Sequence, residues 1–168
     1  PGSDIVSEEE EIKRVVSVIE ELSQIIDIPI SIDTYKPAVA EAAILAGASI
    51  INDIWGLQKN KEMAEIVKKY NVPVIAMHNH DGHEYKKDII KEISDFFVKT
   101  LKIAEKNGIS RDKVILDPGI GFGKTYEHNV EILQRLEELT KFGPMLLGTS
   151  RKSTLGKILD LPPKERIE

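Results

Sequence analysis

The chain carries at residues 114–118 the stretch Val114-Ile115-Leu116-Asp117-Pro118, a short apolar run that ends on a charged residue. Four more runs end on polar or charged residues: Ile30-Ser31-Ile32-Asp33-Thr34, Ile50-Ile51-Asn52-Asp53, Val74-Ile75-Ala76-Met77-His78 and Met145-Leu146-Leu147-Gly148-Thr149-Ser150-Arg151-Lys152. Such runs are typical of strands buried on both faces of a parallel, helix-covered sheet. They predict an α/β fold whose polar strand ends line a ligand site.

Helical patterns alternate with these runs. Ser7 and Glu10 form a capping box, and Pro37 and Gly47 suit the start and the end of a helix. The predicted helices run from about Glu8 to Gln24, Pro37 to Gly47, Lys61 to Tyr70, Lys87 to Asn107 and Glu127 to Leu139. Alternating strands and helices predict parallel pairing with right-handed crossovers.

The positions of the polar groups distinguish an open sheet from a barrel. An open sheet gathers its ligand groups at one switch point, whereas all five runs end on polar groups here. This favours a TIM (β/α)8 barrel, which has eight units and about 250 residues. We therefore predict that residues 1–168 form a single, partial barrel domain, truncated at both ends.

Composition restricts the partners and the compartment. The chain has 168 residues, no cysteine, 30% charged residues and a net charge of −5. Without cysteine, disulfides and thiolate metal sites are excluded. The acidic balance argues against nucleic acid or a membrane surface as a partner. No run reaches the roughly 18 apolar residues of a membrane span, and no signal peptide opens the chain, so we expect a cytoplasmic protein.

A glycine-rich segment follows the run at residues 114–117. It has the sequence Asp117-Pro118-Gly119-Ile120-Gly121-Phe122-Gly123-Lys124-Thr125. A phosphate loop is excluded because Pro118 stands where its first glycine belongs, and a dinucleotide fingerprint because Lys124 replaces its third. We interpret the segment as a flexible ligand-covering loop, with Asp117 at its root and Phe122 available for stacking. The alternative is a tight turn that uses glycines for positive φ.

Several strand ends carry hydrogen-bonding side chains, namely Asp33, Asn52, Asp53 and Asp117. Carboxylates accept hydrogen bonds, while an amide both donates and accepts. The set suits a planar heterocycle with adjacent N–H donors, such as a guanine-like or pterin edge. For Asp53 and Thr34, capping of the following helix is an equally good explanation.

Two further groups of polar residues each allow a functional interpretation and a purely structural one. Ser150-Arg151-Lys152 suits an anion or a ring carbonyl at the ligand face, or is a surface charge pair. The group of His78, His80 and His83 with Asp81 raises the alternative of a zinc hydrolase. We favour His78 alone facing the barrel mouth over a three-histidine cage.

Together these segments resemble dihydropteroate synthases. The resemblance extends essentially from end to end, and its last two stretches are the most specific. The matching stretches are Pro1-Gly2, Val6-Ser7-Glu8-Glu9-Glu10, Ser31-Ile32-Asp33-Thr34-Tyr35, Ile50-Ile51-Asn52-Asp53, Met77-His78, Leu116 to Thr125 with His128-Asn129, and Gly148-Thr149-Ser150-Arg151-Lys152-Ser153.

The resemblance implies a (β/α)8 barrel of which this chain holds strands three to seven. It implies condensation of 6-hydroxymethyl-7,8-dihydropterin diphosphate with p-aminobenzoate to 7,8-dihydropteroate and diphosphate, assisted by Mg²⁺. The metal-contacting segment is absent, so no metal ligand is expected in this chain, and the fragment alone is expected to be inactive. It further implies a homodimer when complete, and binding of sulfonamide-type analogues.

Residue roles carried over by the resemblance fall into three overlapping groups. The expected catalytic residues are Asp33 and Lys152. The expected pterin-binding residues are Asp33, Asn52, Met77, Asp117 and Lys152, and the expected p-aminobenzoate-binding residues are Phe122, Ser150 and Lys152. Two alternatives stay open: a methyltetrahydrofolate-dependent methyltransferase, and a pterin-binding module without catalysis.

Overall fold

The computed structural model describes residues 6–166 and contains a parallel four-stranded sheet in the order β1-β2-β3-β4. Pro1 and Gly2, part of the resemblance, lie outside the described residues. The strands are β1 Ser31–Asp33, β2 Ile50–Asp53, β3 Val74–Met77 and β4 Val114–Asp117. The α-helices are α1 Glu8–Ser23, α2 Pro37–Ala46, α3 Glu62–Tyr70, α4 Ile89–Lys106, α5 Tyr126–Gln134, α6 Glu137–Thr140 and α7 Ser153–Leu159, and 3-10 turns lie at Arg111–Lys113 and Pro163–Glu165.

The helix boundaries follow from the capping residues. The Ser7 hydroxyl accepts the Glu10 amide at 3.2 Å at the start of α1. Pro37 opens α2, and Gly47 ends it with φ 119°, a conformation in which glycine has no Cβ penalty. The four predicted helices that precede β4 are confirmed to within about two residues, the usual scatter at helix ends.

The predicted helix from Glu127 to Leu139 is interrupted. Arg135 leaves helical geometry with φ −114° and ψ 18°, which ends α5 and separates it from α6. Its guanidinium pairs with Asp88 at the start of α4 at 2.5 Å, and with Glu131 and Glu138. The ion pair between Arg135 and Asp88 thus accompanies a break between α5 and α6, which the helical spacing of the sequence does not reveal. The short helix α7 was not predicted.

The prediction of a fifth strand, beginning at Met145, is wrong. Residues after Pro144 make one parallel bridge, between Met145 and Leu116. Leu116 donates to Pro144 at 3.0 Å and accepts from Leu146 at 2.9 Å. Among the described residues no strand pairs on the far side, and Leu146 is 38% exposed. A single bridge is too short a ladder for a strand.

The strand register sorts side chains onto two faces. Asp33 pairs with Asn52 and Met77 pairs with Asp117, and because side chains alternate along a strand, all four lie on the inner face. Outer-face positions pack under the helices and are all buried: Ile32, Ile51, Val74, Ala76, Val114 and Leu116. The inner face therefore carries the polar strand ends, as in part of a barrel. No helix of the described chain is long and apolar enough to cross a membrane.

Candidate functional site

A cavity of about 230 Å³ lies on the inner face at the carboxyl ends of the strands. Six predicted site residues line it: Asp33, Asn52, Met77, Asp117, Phe122 and Lys152. Four residues without a predicted role complete the lining: Ile54, Ile120, Leu146 and Gly148. The apolar members carry no sequence signal that separates them from core residues.

Ser150 is the exception among the predicted residues. It is exposed and does not line the cavity. It lies in a turn closed by the hydrogen bond from the Lys152 amide to the Thr149 carbonyl at 3.2 Å, with Arg151 at φ 55°. The turn directs the chain into α7, and Lys152 is the residue of this group that reaches the cavity.

Asp117 presents one occupied and one available carboxylate oxygen. Oδ1 accepts the Gly119 amide at 2.7 Å, and among residues 6–166 no hydrogen bond uses Oδ2. Burial raises the pKa of the Asp117 carboxyl, partly offset by the Gly119 amide and by the charges of Lys124 and Lys152. The residue therefore offers a desolvated acceptor to a ligand in the cavity.

Asn52 holds the second available acceptor. Its Oδ1 is buried and has no hydrogen-bond partner within the described chain, a state that costs free energy unless a ligand satisfies it. Asp33 lies beside it in register. Partial desolvation raises the pKa of the Asp33 carboxyl, and the Asn52 side chain counteracts this rise.

Lys152 and Phe122 form another part of the cavity lining. The Lys152 ammonium lies 4.2 Å from the Phe122 ring centroid, a cation–π contact. Desolvation lowers the pKa of Lys152, while Asp117 and Asp33 counteract that effect. A Cβ at Gly121 would lie 3.2 Å from the Lys152 Cδ, so the glycine leaves room for the lysine stem.

The glycine-rich loop, residues 118–125, is fastened at its base. Gly119, Gly121 and Gly123 have φ of 70°, 82° and 55°, which confirms the need for glycine in a tight turn. The Lys124 ammonium binds the Gly119 and Phe122 carbonyls from below at 3.0 and 2.9 Å. The alternative of a tight turn therefore has support at the loop's base, the flexible cover stays a prediction, and Phe122 lines the cavity.

Replacing Gly119 by alanine should destabilise the protein strongly. The new Cβ would lie 2.1 Å from the His78 carbonyl oxygen, at φ 70°, so backbone must move in addition to the left-handed penalty. We expect a loss of about 3 kcal/mol or more in the free energy of unfolding. Gly82→Ala is the matched control. Gly82 also has a positive φ, 89°, but no atom lies within 4 Å of the Cβ that alanine would add. Equal losses from the two changes, measured by denaturant unfolding, would contradict the packing argument.

Asp53 and Thr34 cap turns. Asp53 lies on the outer face and accepts the amides of Trp55 at 2.9 Å and Leu57 at 2.7 Å. The Thr34 hydroxyl donates to Glu11 at 2.7 Å and accepts the Lys36 amide at 3.2 Å. Neither residue lines the cavity. Neither residue caps the following helix, since α2 and α3 begin without a side-chain cap; both instead hold the turns that follow their strands.

His78 does not face the barrel mouth. It is 3% exposed, its Nδ1 lies 2.9 Å from the Lys124 ammonium, and its ring packs edge-on against Phe96. Burial and the charge of Lys124 lower the pKa of His78 to about 2. His80 and His83 are exposed. Within residues 6–166 no three His, Cys, Asp or Glu side chains are placed to hold a metal, so the zinc-hydrolase alternative has no support.

Burial of the Asp117 charge predicts a pH-dependent stability effect. The folded pKa lies above the ordinary carboxyl value of 3.8, so the folded state keeps a proton that the unfolded state has lost, and stability falls as pH rises through that interval. Asp117→Asn keeps an acceptor for Gly119 and removes the charge. We expect a higher unfolding temperature than wild type at pH 7, and no gain below about pH 4. A less stable variant at pH 7 would contradict this assignment.

Fold and site together define a class of protein. The chain is part of a (β/α)8 barrel whose strand ends surround a small-molecule cavity, with two free acceptors, an ammonium group and an aromatic ring.

The sequence matches the family described as "Pterin binding enzyme" over residues 1–168. The chain belongs to this family. It is similar to the dihydropteroate synthase of Clostridium beijerinckii, with 54% identity over 100% of this chain and 62% of the relative. For the dihydropteroate synthase of Bacillus subtilis the identity is 46%, over 100% of this chain and 59% of the relative.

Solved structures give the same result. A Clostridium difficile dihydropteroate synthase in the presence of pteroic acid has a TM-score of 0.95 and 51% identity, covering 99% of this chain and 64% of the other. A Xanthomonas albilineans dihydropteroate synthase with 4-aminobenzoic acid has a TM-score of 0.94 and 37% identity, covering 99% and 62%. This chain thus spans about three-fifths of the length of the curated relatives that it matches.

Proposed function

We propose that this chain forms the pterin-binding part of a dihydropteroate synthase. The reaction joins 6-hydroxymethyl-7,8-dihydropterin diphosphate to p-aminobenzoate and releases diphosphate. The observation that carries the proposal is the pair of free acceptors in one cavity, Asn52 Oδ1 and the second oxygen of Asp117. A pterin edge supplies the N–H donors that both require. The curated relatives and the solved structures with pteroic acid and 4-aminobenzoic acid support it.

The cavity walls suit a flat heterocycle. Met77 and Ile120 are buried and apolar and would contact the ring faces. The Lys152 ammonium would donate to the ring carbonyl, since it is the cation that lines the cavity. Acceptors on one side and a donor on the other fix the ring orientation, so a ring without this hydrogen-bonding pattern leaves buried groups unpaired.

The bond changes require charge stabilisation and no protein nucleophile. The exocyclic C–O bond breaks and diphosphate leaves with the electron pair, so positive charge develops on the pterin methylene carbon. The nitrogen lone pair of p-aminobenzoate forms the new C–N bond, and that nitrogen loses a proton. Asp33, on the inner face beside Asn52, would stabilise the developing cation electrostatically.

The second substrate would bind on the Phe122 side. The stacked pair of Phe122 and Lys152 offers an aromatic face and a positive charge, which suits a benzoate or a sulfonamide-type analogue. A Yersinia pestis dihydropteroate synthase with a pterine-sulfa conjugate is 42% identical to this chain. Ser150 is exposed outside the cavity lining, so its expected contact with p-aminobenzoate has no geometric support.

The resemblance also implies Mg²⁺. The residues from 6 to 166 do not offer it a site of three or more His, Cys, Asp or Glu ligands, and none of the bond changes proposed for this chain's residues uses the ion.

We further propose, from the resemblance and the sequence pattern, one partial barrel domain over residues 1–168, a homodimer when complete and a cytoplasmic location.

Diphosphate release tests the proposal. The protein, extended at both ends to the length of its relatives, should release diphosphate from the pterin substrate only when p-aminobenzoate is present. Saturable pterin binding without release would favour the non-catalytic module, and transfer of a methyl group from methyltetrahydrofolate would favour the methyltransferase. Absence of both binding and release in a folded protein would contradict the proposal.

A further inference from the structure

Lys124 is a buried lysine to which the proposed reaction gives no task. It is 5% exposed and does not line the cavity. Its ammonium contacts the Phe122 carbonyl and the His78 Nδ1 at 2.9 Å, the Gly119 carbonyl at 3.0 Å and the His78 carbonyl at 3.3 Å. Two of these partners belong to the glycine-rich loop and two to the residue that follows β3.

The loop lies unusually close to the chain that follows β3. A Cβ at Gly119 would be 2.1 Å from the His78 carbonyl oxygen, and one at Gly123 would be 2.2 Å from that of His80. Carbonyl groups brought this close need donors between them, because buried acceptors without a partner are costly. The Lys124 ammonium supplies up to three. The Tyr85 hydroxyl adds one to Gly123 at 2.6 Å.

We propose that Lys124 is a positioning residue that holds the glycine-rich loop against the end of β3 and thereby fixes Asp117 and Phe122 around the ligand cavity. Its effect on the ligand rests on the proposed function. Its effect on the loop does not, since the contacts exist in the chain without any ligand. The sequence gives only a hint of this role, a lysine where a dinucleotide loop has glycine.

The protonation state of Lys124 makes the fastening sensitive to pH. Burial lowers the pKa of Lys124 to about 7, and Lys152 adds to the lowering while Asp117 opposes it. The other titratable groups around it are His78 in direct contact, His80 beyond it, and Tyr85, which packs on both histidine rings. Opening the loop would return Lys124 to water, where its ordinary pKa is 10.5, so the open loop binds a proton that the closed loop lacks. The fastening should therefore strengthen as pH rises through about 7.

The stability of the whole fold should change in the same direction. Between pH of about 7 and the ordinary lysine pKa of 10.5, the unfolded chain binds a proton at Lys124 that the folded chain does not. The contribution of this group to stability therefore increases with pH across that interval. Loss of loop protection in Lys124→Met, with protection of the β3 amides retained, distinguishes a local fastening from general unfolding.

Amide hydrogen exchange on the extended protein tests the proposal without a ligand. In wild type, protection of the amides from Gly119 to Thr125 should rise between pH 6 and pH 8.5, after correction for intrinsic exchange. Lys124→Met should lower loop protection at pH 6 about tenfold or more and abolish its pH dependence. Lys36→Met is the matched control: Lys36 is 8% exposed and is bound to Glu11, away from the loop.

Pteroic acid titration separates this inference from the proposed function. Lys124→Met should bind pteroic acid more weakly than wild type at pH 6 and should lack the change with pH that wild type shows near pH 7. Loop protection that is unchanged by Lys124→Met, or constant with pH in wild type, would overturn the inference. The wild-type pH series decides it even if the variant fails to fold. Loop exchange as expected, but no binding of pteroic acid, would support the fastening and count against the proposed function alone.

Discussion

Asp117→Asn is expected to weaken pterin binding by about 100-fold, because the second carboxylate oxygen becomes an amide that points donors at ligand donors. Two mismatched buried groups cost about 3 kcal/mol together. Asparagine keeps an acceptor for the Gly119 amide at 2.7 Å, so the loop keeps its root. Calorimetric titration of a pterin ligand measures the effect.

Asp53→Asn is the matched control for that change. Asp53 is as buried as Asp117 and also accepts backbone amides, but it lies on the outer face of the sheet. We expect it to alter stability and to leave pterin affinity within about threefold of wild type. Similar losses of affinity from both substitutions would mean that Asp117 acts through the fold and not through the ligand.

Asp33→Asn is expected to lower turnover by about 100- to 1000-fold while pterin affinity changes little. The reason is that a carboxylate stabilises a cationic methylene that exists only in the transition state. Asparagine preserves the size and the contact with Asn52. Steady-state release of diphosphate, measured beside equilibrium binding, separates the two quantities. A large loss of affinity with unchanged turnover would assign Asp33 to ground-state binding.

The polar strand ends could be predicted from sequence because parallel strands bring their carboxyl ends to one edge. Asp33, Asn52 and Asp117 follow from that rule and line one cavity. The pattern of strand ends alone does not choose between the neighbours Asn52 and Asp53, since that choice depends on register; the resemblance selected Asn52. The pairing of Asp33 with Asn52 places the amide inside and Asp53 outside.

Tertiary contacts explain the errors. The break between α5 and α6 rests on ion pairs of Arg135, one of which reaches Asp88 in a distant segment. The expected fifth strand fails because its ladder with β4 consists of the one bridge between Met145 and Leu116. For Lys124 and the glycines around it, the sequence left a flexible cover and a tight turn open, and the approach of the His78 and His80 carbonyls supports the tight turn.

One titration tests the central claim, that the inner-face cavity binds a pterin. The pterin diphosphate is titrated calorimetrically into the protein extended at both ends, with wild type compared against Asp117→Asn and Asp53→Asn. We expect saturable binding at one site per chain, lost with Asp117→Asn and retained with Asp53→Asn. Absence of binding to a well-folded wild-type protein would contradict the assignment of the cavity.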